Sequence, residues 1–166
     1  MAVQKQIRQF QTTAVVGDIV LSGPVRAQPG VLKTTDPTNN VIGRAMTHVA
    51  GQDGQFVAGG TGTFAGILAN SKLYASYGTS AGGPLAPTIT LANNTVVEGV
   101  TFTSGILVSL TNAGAIGNRI EFSQADGTLQ ANASGTATSG YTLITNSQIV
   151  RFNTSGTGEA IVQLTE

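Results

Sequence analysis

The pattern of hydrophobic and polar positions is that of strands. Thr, Val and Ile fill short intervals, and Gly, Pro, Asn and Asp punctuate them every several residues. No interval keeps an i, i+3, i+4 apolar rhythm for longer than about ten residues, as an amphipathic helix would require. Glu, Lys and Gln are too sparse to build a helix surface. Strand candidates are AVVGDIVLSG at residues 14–23, with Gly17 and Asp18 as a bulge or bend, and VIGRAMTHVA at 41–50. TITL and VTFT alternate on either side of the Asn93-Asn94 turn. Residues 141–144, 149–152 and 160–164 supply strands in the tail, separated at Asn146-Ser147 and by NTSGTG. Breaks fall at Pro24, at Pro29-Gly30, in DPTNN (36–40) and in GQDG (51–54), while Asp126-Gly127 is a hairpin signal. Short strands at this spacing predict an all-β fold, an antiparallel sandwich or barrel-like body, with at most short helices.

The chain divides into an arm and a body. Residues 1–12 are polar, with Val3, Ile7 and Phe10 spaced by four and three, which suits either a short helix or an extended arm that docks elsewhere. Residues 13–166 form one β-rich domain, and the Gly- and Pro-rich stretch near 78–88 offers a subdomain break. The run FAGILANSKLYASYGTS at 64–80 is the most apolar and aromatic of the chain. It predicts a mixed segment near a strand end. Ile67 and Leu68 are expected in the core, and Lys72 in solvent. Tyr74 and Tyr77 suit either the interior or a neighbouring chain, because tyrosine combines an apolar body with a polar tip.

Composition narrows the function. With 166 residues the chain is long enough to bury a real core. It has no cysteine, so disulfides and thiolate metal sites are excluded. Eight basic and eight acidic residues cancel, and charged residues are 10% of the chain, against about 25% in ordinary globular proteins. Such a chain lacks the basic field that phosphate backbones need, so no nucleic-acid partner is expected. Low charge suits a protein that ends packed against neighbours. The N-terminal MAVQKQIRQFQTT has two cations with no apolar run behind them, unlike a secretory signal, and no segment is apolar enough to predict a membrane-spanning helix.

Catalytic signals are weak. His48, the single histidine, lies in a β-like run without a nucleophile-elbow motif nearby, and reads as structural. The carboxylates Asp18, Asp36, Asp53, Glu98, Glu121, Asp126, Glu159 and Glu166 are scattered, with no metal-ligand spacing. Gly60, Gly62 and Gly66 in GGTGTFAG miss the dinucleotide fingerprint and read as a tight loop. No catalytic residue, metal or cofactor is expected.

GDIV (17–20), IGRAM (42–46), FAGILANSKLYASYG (64–78) and the terminal Val162 to Thr165 occur in an order that resembles the capsid cement, or head decoration, proteins of tailed bacteriophages. The resemblance implies a structural, non-enzymatic protein on the outer surface of the virion capsid, made in the bacterial host cytoplasm. It implies binding to the major capsid protein and to itself, as a homodimer or homotrimer, with no membrane partner. Candidate contact residues are Lys5, Arg8 and Phe10 of the arm, Arg26 and Arg44, and Tyr74 and Tyr77. The competing expectations are another phage β-component (a tail tube, tail fibre or receptor- or carbohydrate-binding module) and a small β-barrel enzyme using His48. The absence of Trp counts against sugar stacking.

Overall fold

The computed structural model describes residues 14–70, 90–152 and 158–165. Ten strands carry the described chain: β1 (Val25–Leu32), β2 (Ala45–His48), β3 (Gln55–Ala58), β4 (Phe64–Leu68), β5 (Val96–Leu110), β6 (Arg119–Ser123), β7 (Leu129–Asn132), β8 (Tyr141–Ile144), β9 (Ser147–Phe152) and β10 (Gly158–Leu164). The helical element among the described residues is one 3-10 turn, Pro37–Asn39, capped by the Asp36 side chain, which accepts from the Thr38 amide at 3.0 Å. The all-β expectation holds.

The strands close into two small barrels that share β5. In the first, β1 pairs with β3, β3 with β2, β2 with β4, β4 with β5, and β5 returns to β1. In the second, the C-terminal half of β5 pairs with β10, β10 with β9, β6 with β8 and β7, and β7 with β5. Two backbone bonds complete that ring: Ile149 donates to the Asn118 carbonyl at 2.8 Å and accepts from the Gly117 amide at 2.8 Å. Thus β8 and β9 run in line along one edge of β6. The expectation of a purely antiparallel body needs one correction, because β1–β3 and β5–β7 are parallel. A ring with an odd number of members cannot alternate direction all the way round. With β8 and β9 counted as one, each ring has five members and one parallel pair.

Two cores follow. Leu32, Ile42, Met46, Phe56, Ala58, Ala65, Leu68, Leu91 and Val97 fill the first barrel. Ile106, Val108, Leu110, Ile120, Phe122, Leu129, Ile144, Ile149, Val162 and Leu164 are among those filling the second. Ala45, Ile67, Ala69 and Val100 leave the first barrel and join the second core. Strands β2 and β4 are therefore buried on both faces, which explains why FAGIL is apolar without alternation. Ile67 and Leu68 are fully buried, as expected. Ala65 and Ile67 are two apart yet face different cores. The switch occurs at Gly66, whose φ of 125° sits beside a register shift between β2 and β4. Here β4 crosses β5 so closely that a Cβ on Gly66 would lie 2.5 Å from the Gly99 carbonyl carbon, and one on Gly99 would lie 2.5 Å from the Ala65 oxygen.

Two strand expectations are corrected. Residues 14–23 form no strand. They run along β5 through the Ile19–Ile106 bridge and bonds from the Gly17 amide to Leu107 and the Val20 amide to Gly105. Gly17 at φ 91° and a turn closed by Asp18, whose carboxylate accepts from the Val15 amide at 2.9 Å, interrupt the ladder. Conversely, β1 passes straight through Pro29, where the sequence suggests a break. Val31 and Lys33 donate toward the 54–56 segment, so the missing N–H of Pro29 faces the same side, before the pairing with β3 begins at Val31. The 51–54, 93–94 and 126–127 turns stand where expected, with Gly51, Gly54, Asn94 and Gly127 at positive φ.

Candidate functional site

The groups with chemical potential do not converge. His48 ends β2, half-buried, with its ring edge-on to Phe56 at 5.2 Å and 82°. Among the described residues, no group of three or more His, Asp and Glu could hold a metal ion. The GGTGT glycines serve the β3–β4 connection and lead into β4, with no helix N-terminus to receive a phosphate.

Of the contact residues expected from the sequence, Lys5, Arg8, Phe10, Tyr74 and Tyr77 lie outside the described residues, as does Lys72. Arg26 and Arg44 serve separate places. Arg26 is exposed on β1, its guanidinium carbon 5.6 Å from the centroid of the Phe102 ring on β5. Arg44 is half-buried where the barrels meet. Its Nη1 donates to Asn39 Oδ1 at 3.0 Å and to the Asp126 carbonyl at 3.2 Å, and lies 3.8 Å from the Asp126 carboxylate. It ties the entry to β2 in the first barrel to the β6–β7 turn of the second.

Two carboxylates of the second barrel, Asp126 and Glu121, are held in their ionised forms. Burial pushes Asp126 up, but hydrogen bonding from Ser123 and Thr128 and the Arg44 charge outweigh it, so its carboxyl sits below the usual range. Glu121 is buried on β6, and burial pushes it up too. Four donors prevail: the Thr138 hydroxyl at 2.6 Å, the Thr138 amide at 2.9 Å, Gln130 Nε2 at 2.6 Å and Asn132 Nδ2 at 2.8 Å. Its carboxyl is therefore also lowered. Sequence reading recorded Glu121 as one scattered acid. The signal it left was a glutamate inside the apolar run RIEFS.

The surface carries another feature that sequence reading missed. Val15, Ile19 and Val25 are 53%, 43% and 40% exposed. They lie along the stretch that enters β1 beside β5 and end next to Arg26. Sequence reading placed Val15 and Ile19 in a strand, where they would have been expected to pack. Val96 and Ile116 are further exposed apolar side chains.

Comparison with known proteins agrees with this non-convergent, β-structural body. No curated protein matches the sequence. A solved chain described as "The capsid of Myoviridae Phage XM1" superposes with a TM-score of 0.64 at 16% identity, covering 100% of this chain and 99% of that one. At that identity the likeness speaks for the fold. The family described as "Structural cement protein (E217 gp24/Pam3 gp6)" matches residues 3–165. The chain thus belongs to the phage structural cement protein family and is a capsid-stabilising structural protein.

Proposed function

We propose that the protein bridges neighbouring major capsid subunits from the outer surface of the head, as a homodimer or homotrimer, without catalysis or a cofactor. The observation that carries this is the family match over residues 3–165, nearly the whole chain. The low content of charged residues, 10% of the chain, supports it, since a surface with few charges is easily desolvated against a partner. Repetition over a symmetric lattice lets modest contacts act together. Each specific contact still needs on the order of 1,200 Å² of buried surface.

In this reading residues 1–12 are an arm and 13–166 the body, with the 78–88 stretch as an internal linker. Lys5, Arg8 and Phe10 dock on the shell with Arg26, and the exposed strip of Val15, Ile19 and Val25 continues that surface toward the body. Tyr74 or Tyr77 contacts a neighbouring chain. Arg44 acts indirectly, because its bonds to Asn39 and Asp126 support a role in fixing the two barrels.

The test is sedimentation of the purified protein with and without expanded, undecorated heads. Co-sedimentation saturating at a lattice-defined stoichiometry is expected, and the mass of the free protein gives its oligomeric state. Failure to bind heads refutes the proposal and points to a tail or receptor-binding component.

A further inference from the structure

The Glu121 cluster has a geometry that packing alone does not require. Residues 133–140, between β7 and β8, are all exposed. The hydrogen bonds that hold 134–138 to the strands end on two buried side chains, apart from the turn bond from the Tyr141 amide to the Thr138 carbonyl. Asn132 Oδ1 accepts from the Gly135 amide at 2.8 Å and the Ser134 hydroxyl at 3.1 Å, while its Nδ2 donates to the Thr136 carbonyl at 2.7 Å. Glu121 receives both the amide and the hydroxyl of Thr138, and also holds Asn132 itself. Residues 134–138 thus hang on one carboxylate and the amide it orients, while the Gly140 carbonyl, which accepts from the Gln124 amide at 3.0 Å, fixes the far end of the loop independently.

All four partners of Glu121 donate. Among the described residues no lysine or arginine forms an ion pair with it. The elements against it present Gln130 and Asn132 from β7, Thr136 and Thr138 from the loop, and Leu143 opposite it on β8, none of them acidic or basic. On its own strand the nearest charged residue is Arg119, which pairs in register with Asn132, and Tyr141 stands opposite Ser123. The negative charge is therefore stabilised by donors alone, and a proton on it removes an acceptor from a site built of donors.

We propose that Glu121 is an acid-labile latch: its carboxylate holds residues 134–138 of the loop on the second barrel, and protonation releases them while both barrels stay folded. The sign follows from linkage. A carboxyl with a lowered value in the closed state favours closure above the ordinary glutamate value, about 4.3, and loses that preference as pH falls toward the lowered value. Within that window, loop opening rises up to about tenfold per pH unit.

The experiment is amide exchange of the full-length protein by NMR from pH 3 to 7, expressed as protection factors so that intrinsic exchange cancels. The Gly135 and Thr138 amides are expected to lose protection in acid while Ile120 and Phe122 keep theirs. Glu121→Gln preserves the shape and removes the charge, so its loop protection becomes independent of pH over that range and lower than wild type at pH 7. Asp126→Asn keeps the wild-type response. The proposal is overturned by flat wild-type loop protection, by simultaneous loss of the loop and the β6 amides, by a pH response that survives in Glu121→Gln, or by its disappearance in Asp126→Asn.

Discussion

Gly99→Ala places a methyl group where β4 crosses β5, 2.5 Å from the Ala65 carbonyl oxygen, 3.3 Å from its carbon and 3.5 Å from the Gly66 Cα. An ordinary contact there needs about 3.4 Å, so the strands must separate by nearly an ångström, at the seam between the two cores. All three obstructing atoms are backbone, and no side-chain rotation relieves them. Overpacking of this kind costs about 1–3 kcal/mol. For a chain of this size about 2 kcal/mol lowers Tm by roughly 4–8 °C. Gly66→Ala meets the Gly99 carbonyl carbon at 2.5 Å and also holds alanine at φ 125°, so its loss includes roughly 1–3 kcal/mol of backbone strain and exceeds that of Gly99→Ala. One separation of the strands relieves both clashes, so the double variant should lose less than the sum. Urea unfolding of the three variants, monitored by far-ultraviolet circular dichroism, measures all of this. Gly99→Ala within about 0.5 kcal/mol of wild type, or strict additivity in the pair, would refute the argument that backbone proximity sets this crossing.

Phe122→Ala removes a fully buried ring stacked on Phe64 at 6.1 Å, and about 3–5 kcal/mol is expected by the same unfolding assay. Arg44→Met keeps the aliphatic stem but removes the bonds to Asn39 and, across the junction, to Asp126; a loss of about 1–2 kcal/mol is expected, and no loss means the junction rests on packing and on backbone bonds such as that from the Ala45 amide to the Gly127 carbonyl. Asp126 and Glu121 both have lowered values, so their contribution to stability is present above pH of about 4.5 and declines as pH falls toward those values; Tm measured from pH 7 to 3 should fall only in the acid part of that range. Ile19→Asp and Val25→Asp should reduce co-sedimentation with undecorated heads while leaving Tm within a few degrees, because both side chains already lie on the surface and are partly in water.

The sequence by itself determined the class of the fold. Glycine, proline and asparagine at short intervals, β-branched residues between them and too few helix formers leave strands as the available structure, and turns at Asp126-Gly127 and Asn93-Asn94 are local chemistry. The scarcity of charge pointed to a protein used in assembly for an equally local reason. Tertiary structure decided what depends on partners distant in the chain. Pro29 lies inside a strand because its missing donor faces an edge that β3 does not yet occupy. FAGIL lacks alternation because two cores meet across it, and only the crossing at Gly66 and Gly99 reveals the second. Arg44, an expected contact residue, proves to join two barrels, since its partner Asp126 is 82 positions away. Glu121 left only its place within RIEFS as a mark in the sequence, because burial and four converging donors exist only once β6, β7 and the 133–140 loop are assembled.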